Sequence, residues 1–128
     1  MIIGTGIDLV EISRMQEMLT RWGDRFLNRI FTPSEIASVQ KKKYQHISLS
    51  GLFAVKEAVL KALGIGLQMG VRFQEIETSH NALGKPVTTL SGKVQEIAQE
   101  KQVSELFVSI SHDGNYAIAQ VLLAGKET

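Results

Sequence analysis

The sequence holds no cysteine. That absence excludes a disulfide framework, a thiolate metal centre and a cysteine nucleophile in one step, and it agrees with a reducing compartment. An excess of charge is missing too. The net charge of +1 is too small for an indiscriminate nucleic-acid binder, so electrostatic recognition has to come from local patches. Aromatic residues make up only 6% of the chain and no nucleic-acid motif accompanies them, which argues further against nucleic acid as a partner. Long hydrophobic runs are equally absent. The opening "MIIGTGIDLVEISR" has no basic lead, and Gly4, Gly6 and Asp8 break its short apolar run, so it reads as neither signal peptide nor membrane span. The expectation is a soluble, cytoplasmic protein without a membrane partner. What the chain does have is 128 residues, 44% of them hydrophobic, enough for a single domain over residues 1–128 with a real core.

Periodicity supplies the elements. "IIGTGIDLV" reads as a strand with Ile2, Gly4, Gly6 and Asp8 on one face and Ile3, Thr5, Ile7 and Leu9 on the other. From Ile12 to about Phe26, the apolar residues Ile12, Met15, Leu19, Trp22 and Phe26 recur at helical spacing. "TPSE" at 32–35 combines a Thr N-cap, Pro at the first helical position and Glu at the capping-box position, which predicts a helix from Thr32 to the lysines at 41–43. A longer helix is predicted from Ser48 or Ser50 to Leu63, stopped by Gly64. "VRFQEIETS" and "VTTL" form a strand pair across the "NALGKP" turn, and a polar helix follows from Ser91 to about Lys101. "LFVSISHDGNYAIAQVLL" closes the chain as a hairpin about Asp113-Gly114. Strands that come as hairpins imply an α+β fold, with a mainly antiparallel sheet packed with a long central helix.

"FAVKEAVLKALG" at 53–64 concentrates the candidate chemistry. Apolar residues cover most of that helix, Glu57 and Lys61 share a narrow stripe with Phe53, and Lys56 falls inside the apolar arc near Leu60 and Leu63. Glu57 and Lys61 read either as an exposed ion pair or as part of a site. Lys56 reads either as a stem lying on apolar surface with its ammonium in water, or as a phosphate contact. Asp8 and Glu57 are two hard oxygen donors of the kind Mg²⁺ takes, leaving its other positions to water and phosphate, with Lys56 and Lys61 flanking that phosphate; a solvated strand-end aspartate is the plain alternative.

His112 ends the strand "LFVSISH", where it is either structural or a donor to a phosphate. His46 and His80 stand in polar loop contexts without ligand spacing, which argues against a histidine zinc site. Arg14, Met18, Arg21 and Arg25 share one side of the first helix, either as a solvated cationic face or as a dock for an acidic helix.

Taken in order, "GTGIDLVEISR" at 4–14, "FTPSE" at 31–35, "FAVKEAVLKALG" at 53–64, "GKP" at 84–86 and "VSISHD" at 108–113 resemble the holo-acyl-carrier-protein synthase family, the short type of 4'-phosphopantetheinyl transferase. The resemblance spans nearly the whole chain. It implies transfer of the phosphopantetheine arm of coenzyme A to a serine of apo-acyl carrier protein in fatty acid biosynthesis, leaving adenosine 3',5'-bisphosphate. It further implies Mg²⁺ held by Asp8 and Glu57, Lys61 at the diphosphate, and His112 at the nucleotide end. Gly84, Lys85 and Pro86 would border the adenine, and Arg14, Met18, Arg21 and Arg25 would dock the carrier. A homotrimer with active sites between subunits is implied as well.

One residue departs from the pattern. Leu52 stands where the family commonly has an arginine, leaving Lys56, Lys85 or a neighbouring subunit to serve the nucleotide phosphate. In the implied reaction the serine hydroxyl attacks the β-phosphorus, so charge neutralisation and alignment dominate and no protein nucleophile is needed. The serine proton goes to a water at the metal or to Glu57 through water, and His112 is not assigned that role. Two competing readings are a Mg²⁺-dependent phosphodiesterase or nuclease built on the same carboxylates, and a noncatalytic adaptor that holds an acidic partner on the arginine stripe.

Overall fold

The alternating segments at the two ends of the chain meet in one sheet. In the computed structural model, which describes residues 1–126, the chain order is β1 (Ile2–Glu11), α1 (Ile12–Trp22), α2 (Asp24–Ile30), α3 (Pro33–Val39), α4 (Gln45–Leu63), β2 (Ile76–His80), β3 (Pro86–Leu90), α5 (Gly92–Glu100), β4 (Glu105–Asp113) and β5 (Tyr116–Ala124). Strands β1, β5 and β4 form a three-stranded antiparallel sheet in that spatial order, and β2 and β3 pair as a separate hairpin. The architecture is the α+β arrangement with antiparallel sheets and a long central helix.

Register explains which sheet face is covered. Gly4, Gly6 and Asp8 lie in cross-strand rows with Leu123, Val121 and Ala119 of β5 and with Leu106, Val108 and Ile110 of β4. Ala119, Val121 and Leu123 are fully buried beneath α4, whose Leu49, Ala54, Val55, Ala58 and Val59 are equally buried. The opposite face carries Ile7, Leu9, Phe107, Tyr116 and Ile118, all exposed. Because α4 is covered on most of its circumference, its few polar side chains are confined to narrow gaps.

Helix boundaries depart from the sequence pattern for identifiable reasons. The helix expected over 12–26 breaks at Gly23, whose φ of 53° ends α1 while its carbonyl accepts from Phe26 and Leu27 to start α2. The capping box at Thr32 and Glu35 forms as expected, but α3 stops at Val39 and leaves the lysine run exposed. Helix α4 begins at Gln45 rather than at a serine, because the Ser50 hydroxyl donates to the His46 carbonyl within the helix instead of capping it. Residues Phe73–Glu75 form a 3-10 turn where a strand was expected, since the Glu75 carboxylate accepts from the Arg72 N–H. The terminal hairpin turns on Gly114-Asn115, with Asp113 paired to Tyr116.

Two glycines let β1 approach α4 at backbone contact. A Cβ on Gly6 would overlap the Ala58 carbonyl and lie 2.8 Å from the Ala62 nitrogen, and one on Gly4 would overlap the Ala62 carbonyl. Neither obstacle is a movable side-chain end, so Gly6→Ala is expected to cost about 3 kcal/mol and to lower Tm by roughly 10 °C in thermal denaturation. Gly64→Ala, where φ is 70° but nothing lies within 4 Å of the added carbon, is expected to cost only ~1 kcal/mol. Equal effects from the two would refute the close-approach account.

Candidate active site

The glycine approach delivers Asp8 to the polar stripe of α4. Asp8 is the next residue on the inward face of β1 after Gly4 and Gly6, and Lys61 donates to its Oδ1 at 2.9 Å and to the Ile7 carbonyl at 3.0 Å. The Asp8 side chain is 16% exposed and that of Lys61 54% exposed, so the pair sits at the mouth of a gap rather than in the core. Glu57, one turn before Lys61, shares this gap. Its carboxyl is raised above the ordinary 4.5, first by burial and then by the negative charge of Asp8, with Lys61 pulling the other way.

Two carboxylates beside one lysine, with the charge of Asp8 raising the proton affinity of Glu57, form an anionic cradle for a hard cation. Among the described residues no cluster of three metal-ligating side chains occurs, so such an ion would take two protein oxygens and complete its shell from water and phosphate, the habit of Mg²⁺. The donor set fits that ion.

A cavity of about 230 Å³ opens on the same face of the main sheet as the cradle. One wall holds Gly51 and Leu52 of α4, another Ser38 and Val39 of α3, and a third His80, Gly84 and Pro86 of the β2–β3 hairpin, while His112, Ile110 and Ala117 close it from the main sheet. Ile110 belongs to the same cross-strand row as Asp8, with Ala119 between them. Cradle and cavity are therefore about two strand spacings, roughly 10 Å, apart on one sheet face. Lys85 lies exposed at the turn, its backbone N–H bonded to Asn81 Oδ1 at 3.0 Å. Lys42 also lines the cavity. Lys42, in the loop before α4, and His80, at the end of β2, share no ligand spacing in sequence, and only the folding of the hairpin against α3 and α4 brings them to one place.

Lys56 corrects the sequence expectation. It is fully buried and its ammonium pairs with Glu35 Oε1 at 2.7 Å, so it neither flanks the cradle nor replaces the arginine missing at Leu52. Its other donors go to the Phe73 carbonyl at 3.0 Å and to the Ile76 carbonyl. Burial lowers its pKa, opposed by the charge and hydrogen bond of Glu35.

The arginine stripe is also rearranged. Arg14, Met18, Arg21 and Arg25 are all exposed, but the break at Gly23 puts Arg25 on α2. Trp22, expected in the buried arc, is 48% exposed and lines a groove with Met18, Arg25, Phe26 and Arg29. Helix α1 has no cap from its own Glu11. Asn115, in the hairpin turn after His112, accepts the Ser13 N–H at 3.0 Å and donates to the Ser13 hydroxyl at 2.9 Å, and its carbonyl accepts the Ile12 N–H.

Comparison with known proteins follows the same lines. The family model described as the 4'-phosphopantetheinyl transferase superfamily matches residues 4–121. The holo-[acyl-carrier-protein] synthase of Geotalea daltonii is 46% identical over 125 residues, covering 96% of this chain and 98% of that protein. Among solved structures, the Helicobacter pylori holo-[acyl-carrier-protein] synthase in complex with coenzyme A has a TM-score of 0.82 and 37% identity, covering 94% of this chain and 99% of that one. The Neisseria meningitidis enzyme of the same name has a TM-score of 0.88 and 31% identity, covering 97% and 99%.

The strained carboxyl has a measurable signature. Because the folded chain raises the proton affinity of Glu57, its contribution to stability is complete below about pH 4.5 and is lost as pH rises through the elevated value. Glu57→Gln is therefore expected to raise Tm at pH 8 by about 1–3 °C, with the difference vanishing near pH 4.5. A lower Tm at pH 8 would contradict the assignment. Asn115→Ala, which removes the cap from α1, is expected to cost about 1 kcal/mol in chemical denaturation.

Proposed function

The chain belongs to the 4'-phosphopantetheinyl transferase superfamily, and from that membership and the site geometry we infer that it moves the 4'-phosphopantetheine arm of coenzyme A onto a serine of an apo-acyl carrier protein, releasing adenosine 3',5'-bisphosphate. The observation that carries this reading is the cradle of Asp8, Glu57 and Lys61 opening on the same sheet face as a cavity rimmed by His112, Gly84 and Pro86. In the transfer, the serine oxygen bonds to the β-phosphorus, the bond from that phosphorus to the bridging oxygen breaks, and the nucleotide leaves with the extra negative charge. None of the similar proteins named above is a phosphodiesterase or nuclease, and the hydrolytic alternative has no support from them.

Each residue has a role set by its surroundings. The half-exposed Lys61 ammonium offsets charge on the diphosphate without the cost of burying a lone cation. Glu57 would take the serine proton through a water. Asp8 and Glu57 together hold Mg²⁺, which when bound would neutralise the diphosphate oxygens. Gly84 and Pro86 border the adenine with the exposed Lys85 beside them, and His112 serves the nucleotide end. Lys42, a cation in the same cavity as Leu52, takes the place of the arginine that the family pattern would put there.

The carrier protein docks on Arg14, Met18, Arg21 and Arg25, joined by Trp22, Phe26 and Arg29 of the adjoining groove. Carriers present acidic helices, so arginines rimming an apolar groove suit them. The exposed face of the main sheet, with Ile7, Leu9, Phe107, Tyr116 and Ile118, supports assembly as a homotrimer, because one monomer leaves this apolar surface without a cover. No helix among the described residues is long and apolar enough to cross a membrane. The absence of cysteine supports a cytoplasmic setting, with one transferase domain over residues 1–128 acting in fatty acid biosynthesis.

Incubation with coenzyme A, Mg²⁺ and an apo-carrier is expected to raise the carrier mass by one phosphopantetheine; an unchanged mass sinks the proposal. Asp8→Asn and Glu57→Gln are expected to lower kcat about 100-fold or more while the circular dichroism spectrum stays native. Arg14→Glu and Arg21→Glu are expected to raise KM for the carrier roughly 10-fold with kcat within about threefold.

A further inference from the structure

The most deeply buried charges in the chain take no part in the chemistry above. Lys56 and Glu35 are 0% and 1% exposed, and every polar atom of the pair is used. Glu35 Oε1 accepts from the Thr32 N–H at 3.0 Å and from Lys56 at 2.7 Å, and Oε2 accepts from the Thr78 N–H at 3.0 Å. Lys56 gives its remaining protons to the Phe73 and Ile76 carbonyls. One point thus ties the first turn of α3, the middle of α4, the 3-10 turn at Phe73–Glu75 and the start of β2.

Three of those elements, α3, α4 and β2, also wall the cavity. Ser38 and Val39 stand one turn along α3 from Glu35, Gly51 and Leu52 stand just over one turn along α4 from Lys56, and His80 stands two residues along β2 from Thr78. The pair itself touches none of the cavity. A buried ion pair is a poor way to gain stability, because well-packed apolar residues of the same volume often do as well or better. What it adds is geometric: three ammonium protons and two carboxylate oxygens are satisfied in only one mutual setting of the three elements.

We propose that the Lys56–Glu35 pair is a positioning device for the coenzyme A cavity, fixing the separation of its α3, α4 and β2 walls so that the nucleotide end is gripped. The inference rests on the reading of that cavity as the nucleotide site. It separates two neighbours in sequence: Glu57 acts at the reacting phosphate, and Lys56 acts on affinity for the nucleotide alone.

The test uses the full chain with Lys56→Met and with the paired change Glu35→Gln plus Lys56→Met, which keeps side-chain volume and leaves no unpaired buried charge. The readouts are kcat, KM for coenzyme A, KM for the carrier, and calorimetric binding of adenosine 3',5'-bisphosphate. The expected result for the paired variant is a cooperative melt, kcat and carrier KM within about threefold of wild type, and a rise of roughly 10-fold or more in both the KM for coenzyme A and the Kd of the bisphosphate. Values within twofold for both constants would overturn the inference, as would a fall in kcat at unchanged KM. Should Lys56→Met fail to fold, Glu35→Gln alone is measured in the same way and read by the same criteria. Wild-type binding of the bisphosphate that is lost in His112→Ala supports the cavity reading independently. If wild type does not bind the bisphosphate, the cavity reading fails and the inference with it; if wild type binds and the paired variant binds equally, only the positioning role falls.

Discussion

Backbone-to-backbone contact between β1 and α4 is the constraint from which the active site follows. With side chains at positions 4 and 6 the strand would ride away from the helix, since a Cβ at either would overlap a carbonyl of Ala58 or Ala62. With glycine there, the strand lies close enough for the following inward residue, Asp8, to receive Lys61 at 2.9 Å. The sheet rows then carry the geometry sideways: Asp8 leads through Ala119 to Ile110, and Ile110 is already a wall of the cavity. A packing decision at two glycines thereby sets where the carboxylates lie with respect to that cavity.

Lys56 and Glu57 show how a helix assigns opposite fates to adjacent charges. Successive residues point about 100° apart, which sends Lys56 into the core and Glu57 into the gap beside Asp8. Lys56 is held by Glu35 and two carbonyls, so its burial is compensated. Glu57 is compensated only in part: burial and Asp8 push it towards its neutral form, and Lys61 alone pulls the other way. A carboxyl whose charged form its surroundings disfavour is one that a bound cation would stabilise, whereas Lys56 is already matched by Glu35.

The same contrast explains what was legible from sequence. The capping box at Thr32 and Glu35, the stop at Gly64, the β2–β3 pairing and the terminal hairpin are local signals, and each appears in the fold. Asp8, Glu57 and Lys61 were traceable because face periodicity put Asp8 beside glycines and Glu57 with Lys61. Lys56 was misread for want of a partner: nothing near it in sequence announces Glu35, which already had an explanation as a capping residue. Lys42 and His80 carried no shared periodic signal, since a loop residue and a strand-end residue acquire a common wall only when the hairpin folds onto α3 and α4. Arg25 was misplaced because a helical wheel assumes one axis, and Gly23 gives α1 and α2 separate ones.

A small chain that serves two large substrates has to bring them together without overlap, and the connectivity accomplishes this around Asp8. Helix α1 starts directly after Glu11, three residues beyond Asp8, so a partner held on that helix begins about 10 Å from the cradle along β1. The cavity begins at a similar distance in the perpendicular direction, across β5 to β4. With the proposed docking sites, carrier and nucleotide would approach from two sides of the sheet corner, with the gap of α4 that holds Glu57 and Lys61 between them. Asn115 secures that corner: it follows His112 by three residues in the hairpin and caps the first turn of α1 through Ser13 and Ile12. The hairpin that carries His112 therefore also holds the start of α1, so that under the proposed roles one turn of chain would set the two substrates against each other.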